Sequence, residues 1–556
     1  MNRRLLIGFL IISRGLLAQF YGAGTEGGVV SVSQLASQVG VDILRAGGNA
    51  VDAAIATGFA LAVVHPEAGN IGGGGFMLIR FPDGRSTAID FREKAPGRAH
   101  RDMYLDADGN PISGQSLSGP LAAGIPGSVA GYWLAWQRYG SLPWRTLVKP
   151  AARLARCGFI VDGRLNRSLA SHAGLLNRFP ASRSMFFPDG QIPQIGTRLQ
   201  FPELAHTLDR IAVRGAQEFY YGLTAQKLVW VMQQDGGIFT AQDLADYQAV
   251  ERTPLRFSYR GYELITMPPP SSGGVCIAQF LHVLAHFDFE PQDFLSARHI
   301  QLFTETARQV YANRAHYLGD PDFVTIPLAA LTGDSLAAAM AGRIDLTRAT
   351  PSSAVSFTPL PESEQTTHFS VIDHNHLAVA VTTTLNTGYG SAYVAAGTGI
   401  LLNNEMDDFS VKPGHPNFYG LLGSEANAIQ PGKRMLSSMS PTIIARHDSL
   451  MWVLGSPGGS TIITAVTQVI MNLIDFNMTL PRAVDAPRFH HQWLPDTLFY
   501  EHQTWPSELR DMLTQRGYTL LSRGNIANVN AAGIDWSRGW LMGAPDKRRN
   551  SAAVCY

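Results

Sequence analysis

Between Ala349 and Gln365 the chain carries three prolines and four serines with no apolar period, and at Thr366 it turns abruptly β-like. The first stretch reads as a mobile linker. Thr367 to Ile372 then alternates, Leu377 to Leu385 is rich in β-branched residues, and Asp373 to His376 supplies a turn, which predicts a hairpin. A linker that runs straight into a core hairpin limits the fold, because a surface loop must deliver the chain into the middle of a sheet. Taken alone, Thr366-Thr367 need do no more than begin that strand. The chemistry allows a second reading. A threonine hydroxyl is a poor nucleophile without a neighbouring base, and a threonine at the start of a chain has its own α-amine for that purpose. In an uncut chain the same nitrogen is an amide and is not basic, so cleavage between Gln365 and Thr366 would switch the residue on.

Upstream, Ser33 to Ala46 has apolar residues at helical spacing and a Gly47-Gly48 stop. Ala50 to Val63 is a nearly all-apolar helix that must be buried. Four glycines, 72 to 75, lead into a central strand at Phe76 to Ile79, and Pro82-Asp83-Gly84 turns the chain into a neighbouring strand at Thr87 to Phe91. The stretch from about 125 to 320 reads as mainly helical, broken by proline-rich turns such as 268–274.

Hydrophobic residues make up 45% of the 556 and charged residues 16%, which fits a well-packed globular protein and excludes a disordered or coiled-coil chain. Lys+Arg and Asp+Glu are 44 each, with no long basic run, so nucleic acid is not an expected partner. Cys157, Cys276 and Cys555 are too scattered for a disulfide framework and lack metal-ligand spacing. Arg3-Arg4 followed by an apolar run from Leu5 to Ile12 resembles an export signal, assigned to residues 1–24, which points to a periplasmic or secreted protein. No later segment offers 18 uncharged apolar residues, so no membrane span is expected.

Several further motifs follow Thr366-Thr367-His368-Phe369-Ser370 in order: Thr384-Leu385-Asn386, the run Leu401 to Phe409, Leu436-Ser437-Ser438-Met439-Ser440, and Gly455-Ser456-Pro457-Gly458-Gly459-Ser460. With Gly47 to Ala54 and Ala88 to Glu93 upstream, they closely resemble the γ-glutamyltransferase (glutathione hydrolase) family of N-terminal nucleophile hydrolases, from about Val29 to the C-terminus. The resemblance implies an α+β fold, a four-layer αββα sandwich, cut by its own chemistry into a large subunit (25–365) and a small subunit (366–556) that stay together as a heterodimer. It implies Thr366 as nucleophile, Thr384 as its hydrogen-bond partner and Gly458-Gly459 as oxyanion donors. Arg92, Ser437 and Ser438 would meet the α-carboxylate of a γ-glutamyl group, and Asn386, Glu405 and Asp408 its α-ammonium. Tyr419 would gate a lid loop over 412–427. Asp546 with Arg548 or Arg549 resembles a terminal motif with a structural role. Neither cofactor nor metal is called for. The implied substrates are glutathione and other γ-glutamyl compounds, with water, amino acids or dipeptides as acceptors. A glutaryl (cephalosporin-type) acylase is the rival on the same scaffold, and the negative end at Asp408 and Glu405 argues against it, because a glutaryl group has no ammonium.

Overall fold

The computed structural model describes residues 21–352, 366–502 and 504–556. Two seven-stranded antiparallel sheets face one another. The first runs, in spatial order, Ala552–Cys555, Gly28–Ser31, Thr366–Ile372, Ala378–Thr384, Gly74–Arg80, Ser86–Asp90 and Val250–Arg252. The second runs Gly22–Gly24, Trp540–Ala544, Asn530–Asp535, Ser449–Gly455, Thr442–Arg446, Tyr262–Thr266 and Leu255–Tyr259. Helices cover the outer face of each sheet, which completes the αββα sandwich.

The expected hairpin forms at the centre of the first sheet. Thr366 pairs with Thr384 and Ile372 with Ala378. Because strand side chains alternate, the hairpin sorts its residues between two cores. Phe369, Val371, Val379 and Val381 pack under the helices Gln34–Arg45, Ala50–Val64 and Trp144–Cys157. Ile372, Ala378 and Ala380 face the second sheet, together with the helices Gly273–Leu284, Ala297–Tyr317 and Thr461–Ile474. Ser370 Oγ donates across the gap to the carbonyls of Val453 and Asn530, both at 3.1 Å. The same period sends Thr366 and Thr384 toward the second sheet.

The apolar helix is buried along its whole length, Ala50–Val64. Asn49 caps it by accepting from the Val51 and Asp52 amides, both at 3.0 Å, while Asp52 accepts from the Asn49 amide at 3.1 Å. Asp373, at the hairpin turn, accepts from the Asn375 and Leu377 amides and, through its other oxygen, from the Ala50 amide at 3.0 Å. One carboxylate thus shapes the turn and fastens it to a helix N-terminus. In the glycine run, a Cβ on Gly73 would collide with the Thr384 carbonyl oxygen, so the run lets a neighbouring backbone pass beside the end of the hairpin.

The region from 125 to 320 needs correcting. It does hold helices, but Val250–Arg252, Leu255–Tyr259 and Tyr262–Thr266 are strands that edge both sheets. Their turn uses Arg260 and Gly261 at φ of 46° and 79°, a left-handed pair that an arginine does not advertise. The stretch 268–274 is not simply a turn either, since its last two glycines begin the helix Gly273–Leu284.

Residues 1–20, most of the segment read as an export signal, and 353–365, most of the expected linker, lie outside the described residues. Gly22–Gly24 pairs with Leu541 to Gly543 at a sheet edge. Among the described residues no helix is long and apolar enough to cross a membrane.

Candidate active site

Thr366 and Thr384 end the hairpin opposite one another, 4% and 3% exposed. Thr366 Oγ1 lies 3.4 Å from Thr384 Oγ1 and donates to it. Thr384 Oγ1 also accepts from the Asn386 amide at 2.7 Å. The strand stops at Thr384, so Asn386 is not on it, contrary to a simple two-residue alternation. Asn386 turns away at φ of 77° and its Nδ2 donates to the Asn404 carbonyl at 3.0 Å. Both residues nevertheless line one cavity with Thr366, Arg92, Glu405 and Asp408. Ser437, Ser438, Gly459 and Tyr419 close it.

Gly458 and Gly459 precede the helix Thr461–Ile474, with φ of 138° and 54°. Among the described residues neither glycine amide donates to a protein acceptor. Two backbone donors beside a helix N-terminus suit an oxyanion. The ring of Tyr419 lies against Gly459, in the space a Cβ would need. Tyr419 is buried, its hydroxyl donates to the Asn386 carbonyl, and its own carbonyl accepts from Gln492 Nε2 at 3.1 Å. Neighbouring lid residues hold to the acidic pair: the Phe418 amide donates to Asp407 at 2.9 Å and Asn417 Nδ2 to Asp408 at 3.1 Å. The cavity so enclosed has about 20 Å³ of free space, which is on the order of one water. The lid is therefore closed, and a glutamyl-sized group requires it to open.

Gly459→Ala should disturb donor and lid together. The methyl would enter a left-handed backbone and force the Tyr419 ring aside. We expect kcat to fall by about 10²–10³-fold in steady-state assays, the usual effect of losing one oxyanion donor. A fall of less than tenfold would discard this glycine as a donor.

The charged residues meet more closely than the sequence suggests. Arg92 Nη1 lies 2.6 Å from Glu405 and 3.5 Å from Glu93, and Nη2 lies 2.5 Å from Asp408. Arg92 Nε faces the Met435 carbonyl at 3.3 Å. Burial works against the Arg92 charge, but Glu405, Glu93 and Asp408 offset it and hold the pKa above the ordinary arginine value. Burial pushes Glu93 up to about 7 against the pull of Arg92, with Asp408 and Asp90 adding to the rise. Glu405 is raised well above the carboxylate range, first by burial and then by Glu93 and Asp408, again against Arg92. One cation thus sits among three acids, and the cluster holds protons near neutrality.

Ser437 and Ser438 follow a crossing with the segment after Met267. The Ser437 amide donates to the Pro270 carbonyl at 3.0 Å, and its own carbonyl accepts from the Ser272 amide and hydroxyl, both at 2.7 Å. Ser437 Oγ accepts from the Met439 amide at 3.1 Å. Ser438 Oγ accepts from Arg314 Nη2 at 3.2 Å.

The model of the Gamma-glutamyltranspeptidase family matches residues 36–556. The chain belongs to the gamma-glutamyltranspeptidase family. It is 49% identical over 526 residues to the glutathione hydrolase proenzyme of Escherichia coli K12, covering 94% of this chain and 90% of that one. It is 45% identical over 521 residues to the glutathione hydrolase proenzyme of Pseudomonas aeruginosa, covering 93% and 92%. Among solved structures, the gamma-glutamyltranspeptidase of Helicobacter pylori aligns with a TM-score of 0.57 at 41% identity, over 58% of this chain and 93% of that chain. A cephalosporin acylase from Bacillus halodurans aligns with a TM-score of 0.85 at 25% identity, over 96% and 97%. The gamma-glutamyltranspeptidase sandwich therefore extends to acylases, while the stronger sequence likeness is to glutathione hydrolases.

All the residues singled out in the sequence except Gly458 line the one cavity; Gly458 is the chain neighbour of Gly459. Asp546 lies elsewhere, 2.7 Å from Arg488 and accepting from the Val529 amide at 2.8 Å, as a structural residue would. Sequence reasoning missed Arg314 and Leu421, which also line the cavity, and it gave Glu93 no part in the charge cluster. Glu93 sits beside Arg92 in a quoted motif, so adjacency could have suggested it. Arg314 lies inside a long helix with no local signal.

Proposed function

We propose that this chain is a gamma-glutamyltranspeptidase that releases the γ-glutamyl group of glutathione and related amides, passing it to water or to amino acid or dipeptide acceptors. The observation that carries this reading is the single cavity in which a strand-opening threonine faces both a cation and carboxylates. Those are the two charges a zwitterionic glutamyl head requires. In the precursor, Thr366 Oγ attacks the Gln365 carbonyl. The acyl group moves from nitrogen to oxygen, and water hydrolyses the ester, which leaves two chains and a free α-amine. That amine takes the hydroxyl proton as Oγ attacks the γ-carbonyl of a substrate. Gly458 and Gly459 meet the developing oxyanion. The proton passes to the departing amine, and the glutamyl ester on Thr366 is then resolved by water or an acceptor amine.

Thr384 holds the nucleophile's rotamer through the hydroxyl contact. Arg92, Ser437 and Ser438 form the carboxylate end, and Asn386, Glu405 and Asp408 the ammonium end. Tyr419, seated over Gly459, excludes water while the ester exists. Residues 1–24 act as an export signal that delivers the protein to the periplasm or the medium.

A direct test compares γ-glutamyl and glutaryl p-nitroanilides on self-cleaved protein as the pH varies. The γ-glutamyl substrate should be the faster, and faster glutaryl release would replace the reading with an acylase. The ammonium also sets a pH signature. It favours the ionised form of the Arg92–Glu93–Glu405–Asp408 cluster, so binding expels any proton held there. Glu93 titrates near 7, so KM for the γ-glutamyl anilide should be flat above that pH. It should climb toward about tenfold per unit below it, as for any single linked proton. The glutaryl anilide should show no such climb. The Thr366 amine affects both substrates alike, so the ratio of the two KM values isolates the cluster.

A further inference from the structure

Arg314 stands in the helix Ala297–Tyr317, buried to 5% exposure, and lines the same cavity as Thr366. Its Nε donates to Ser272 Oγ at 2.9 Å and its Nη2 to Ser438 Oγ at 3.2 Å. Both partners are neutral. Among the described residues no carboxylate lies within 4 Å of it to form an ion pair, whereas Arg92 has three. A buried guanidinium without a counter-charge is costly, because burial disfavours the charged form. The direction of the Arg314 pKa, lowered by burial, agrees. An anion brought to this wall would relieve that cost.

Arg92 alone is a poor source of net positive charge. Its guanidinium is already compensated by Glu405 and Asp408, and Glu93 adds a third acid. A carboxylate approaching this cluster meets acids as well as the cation. The uncompensated positive charge of the cavity sits on the other side, at Arg314, and Ser438 Oγ reaches from it toward the pocket.

We propose that Arg314, acting with Ser438, is a specificity-determining residue that selects substrates bearing a carboxylate next to the γ-acyl chain, while Arg92 chiefly organises the acidic ammonium end. This rests on the reaction given under Proposed function, since it assigns one more residue to the same pocket. Ser438 then presents a hydroxyl proton to the incoming carboxylate while its oxygen accepts from Arg314, so the arginine acts both by charge and by orienting that hydroxyl.

The test uses R314Q and R314K, each scored on material that a denaturing gel shows to be self-cleaved. Three anilides separate the charges: γ-glutamyl carries carboxylate and ammonium, glutaryl only the carboxylate, and 4-aminobutyryl only the ammonium. R314Q should raise KM for the two carboxylate-bearing anilides by about 10–100-fold, the range for a lost charged hydrogen bond. Its kcat should stay within a few-fold, and 4-aminobutyryl kinetics should not change. R314K should recover part of the affinity. An equal loss on all three anilides, or an unchanged γ-glutamyl KM, overturns the proposal. If R314Q does not self-cleave, R314K decides: a KM rise confined to the carboxylate-bearing anilides supports the assignment, and a uniform change rejects it. A wild type that prefers the glutaryl anilide would sink the transferase reading yet leave this test intact, because both substrates carry the carboxylate.

Discussion

Thr366→Ala should give a full-length chain that never separates into fragments ending at Gln365 and beginning at Thr366, and its glutathione hydrolysis should fall by about 10⁴–10⁶-fold, the scale for removing a catalytic nucleophile. The two effects share one cause. The hydroxyl that opens the peptide bond is the hydroxyl that later attacks the substrate, and no other hydroxyl is set to replace it. Thr384 lies 3.4 Å away, but its oxygen already accepts from the Asn386 amide at 2.7 Å, and it cannot acquire an α-amine. Thr366→Ser keeps an oxygen nucleophile and should still cleave. Intact mass, N-terminal sequencing and a glutathione assay read both effects. Hydrolysis at the wild-type rate by an uncut Thr366→Ala chain would remove the premise of the mechanism.

The second large effect is expected at Arg92. Arg92→Gln leaves Glu93, Glu405 and Asp408 gathered in a buried site with no cation at their centre. Removing one partner from a buried charge cluster typically costs about 3–5 kcal/mol. The loss should depend on pH. With the arginine gone, the carboxyl pKa values rise further above their unfolded values, so the folded chain binds more protons than the unfolded one. Stability then falls as pH rises. The deficit in chemical denaturation should therefore be largest above pH 7 and shrink on acidification. Neutralising a partner as well, in Arg92→Gln/Glu405→Gln, should recover part of it. An Arg92→Gln chain as stable as the wild type at pH 8 would mean that the acids do not depend on this cation.

Much of the local structure was legible because its causes are local. The hairpin at 366–384 follows from alternation and β-branching around an Asp-initiated turn, and the structure pairs it as expected, Thr366 with Thr384. The buried helix at Ala50–Val64 follows from a run too apolar to face water. The strands at 250–266 escaped notice because their turn uses an arginine at positive φ and because helices flank them. Asn386 was placed on the strand by counting, but the strand ends two residues earlier.

By itself the sequence determined the family, the residue types of the chemistry and the point at which the chain turns from linker to strand. These are properties of contiguous runs, whose backbone preferences and side-chain order are set within a few residues. The tertiary structure alone decided which charges meet. Arg92 follows a strand of the first sheet, Glu405 and Asp408 lie on a short turn of helix past the hairpin, and Arg314 is inside a long helix. Only the packing of the two sheets brings Arg92 among three acids and leaves Arg314 with two serines. The distances that separate a neutralised arginine from an uncompensated one arise between elements hundreds of residues apart, where no local pattern records them.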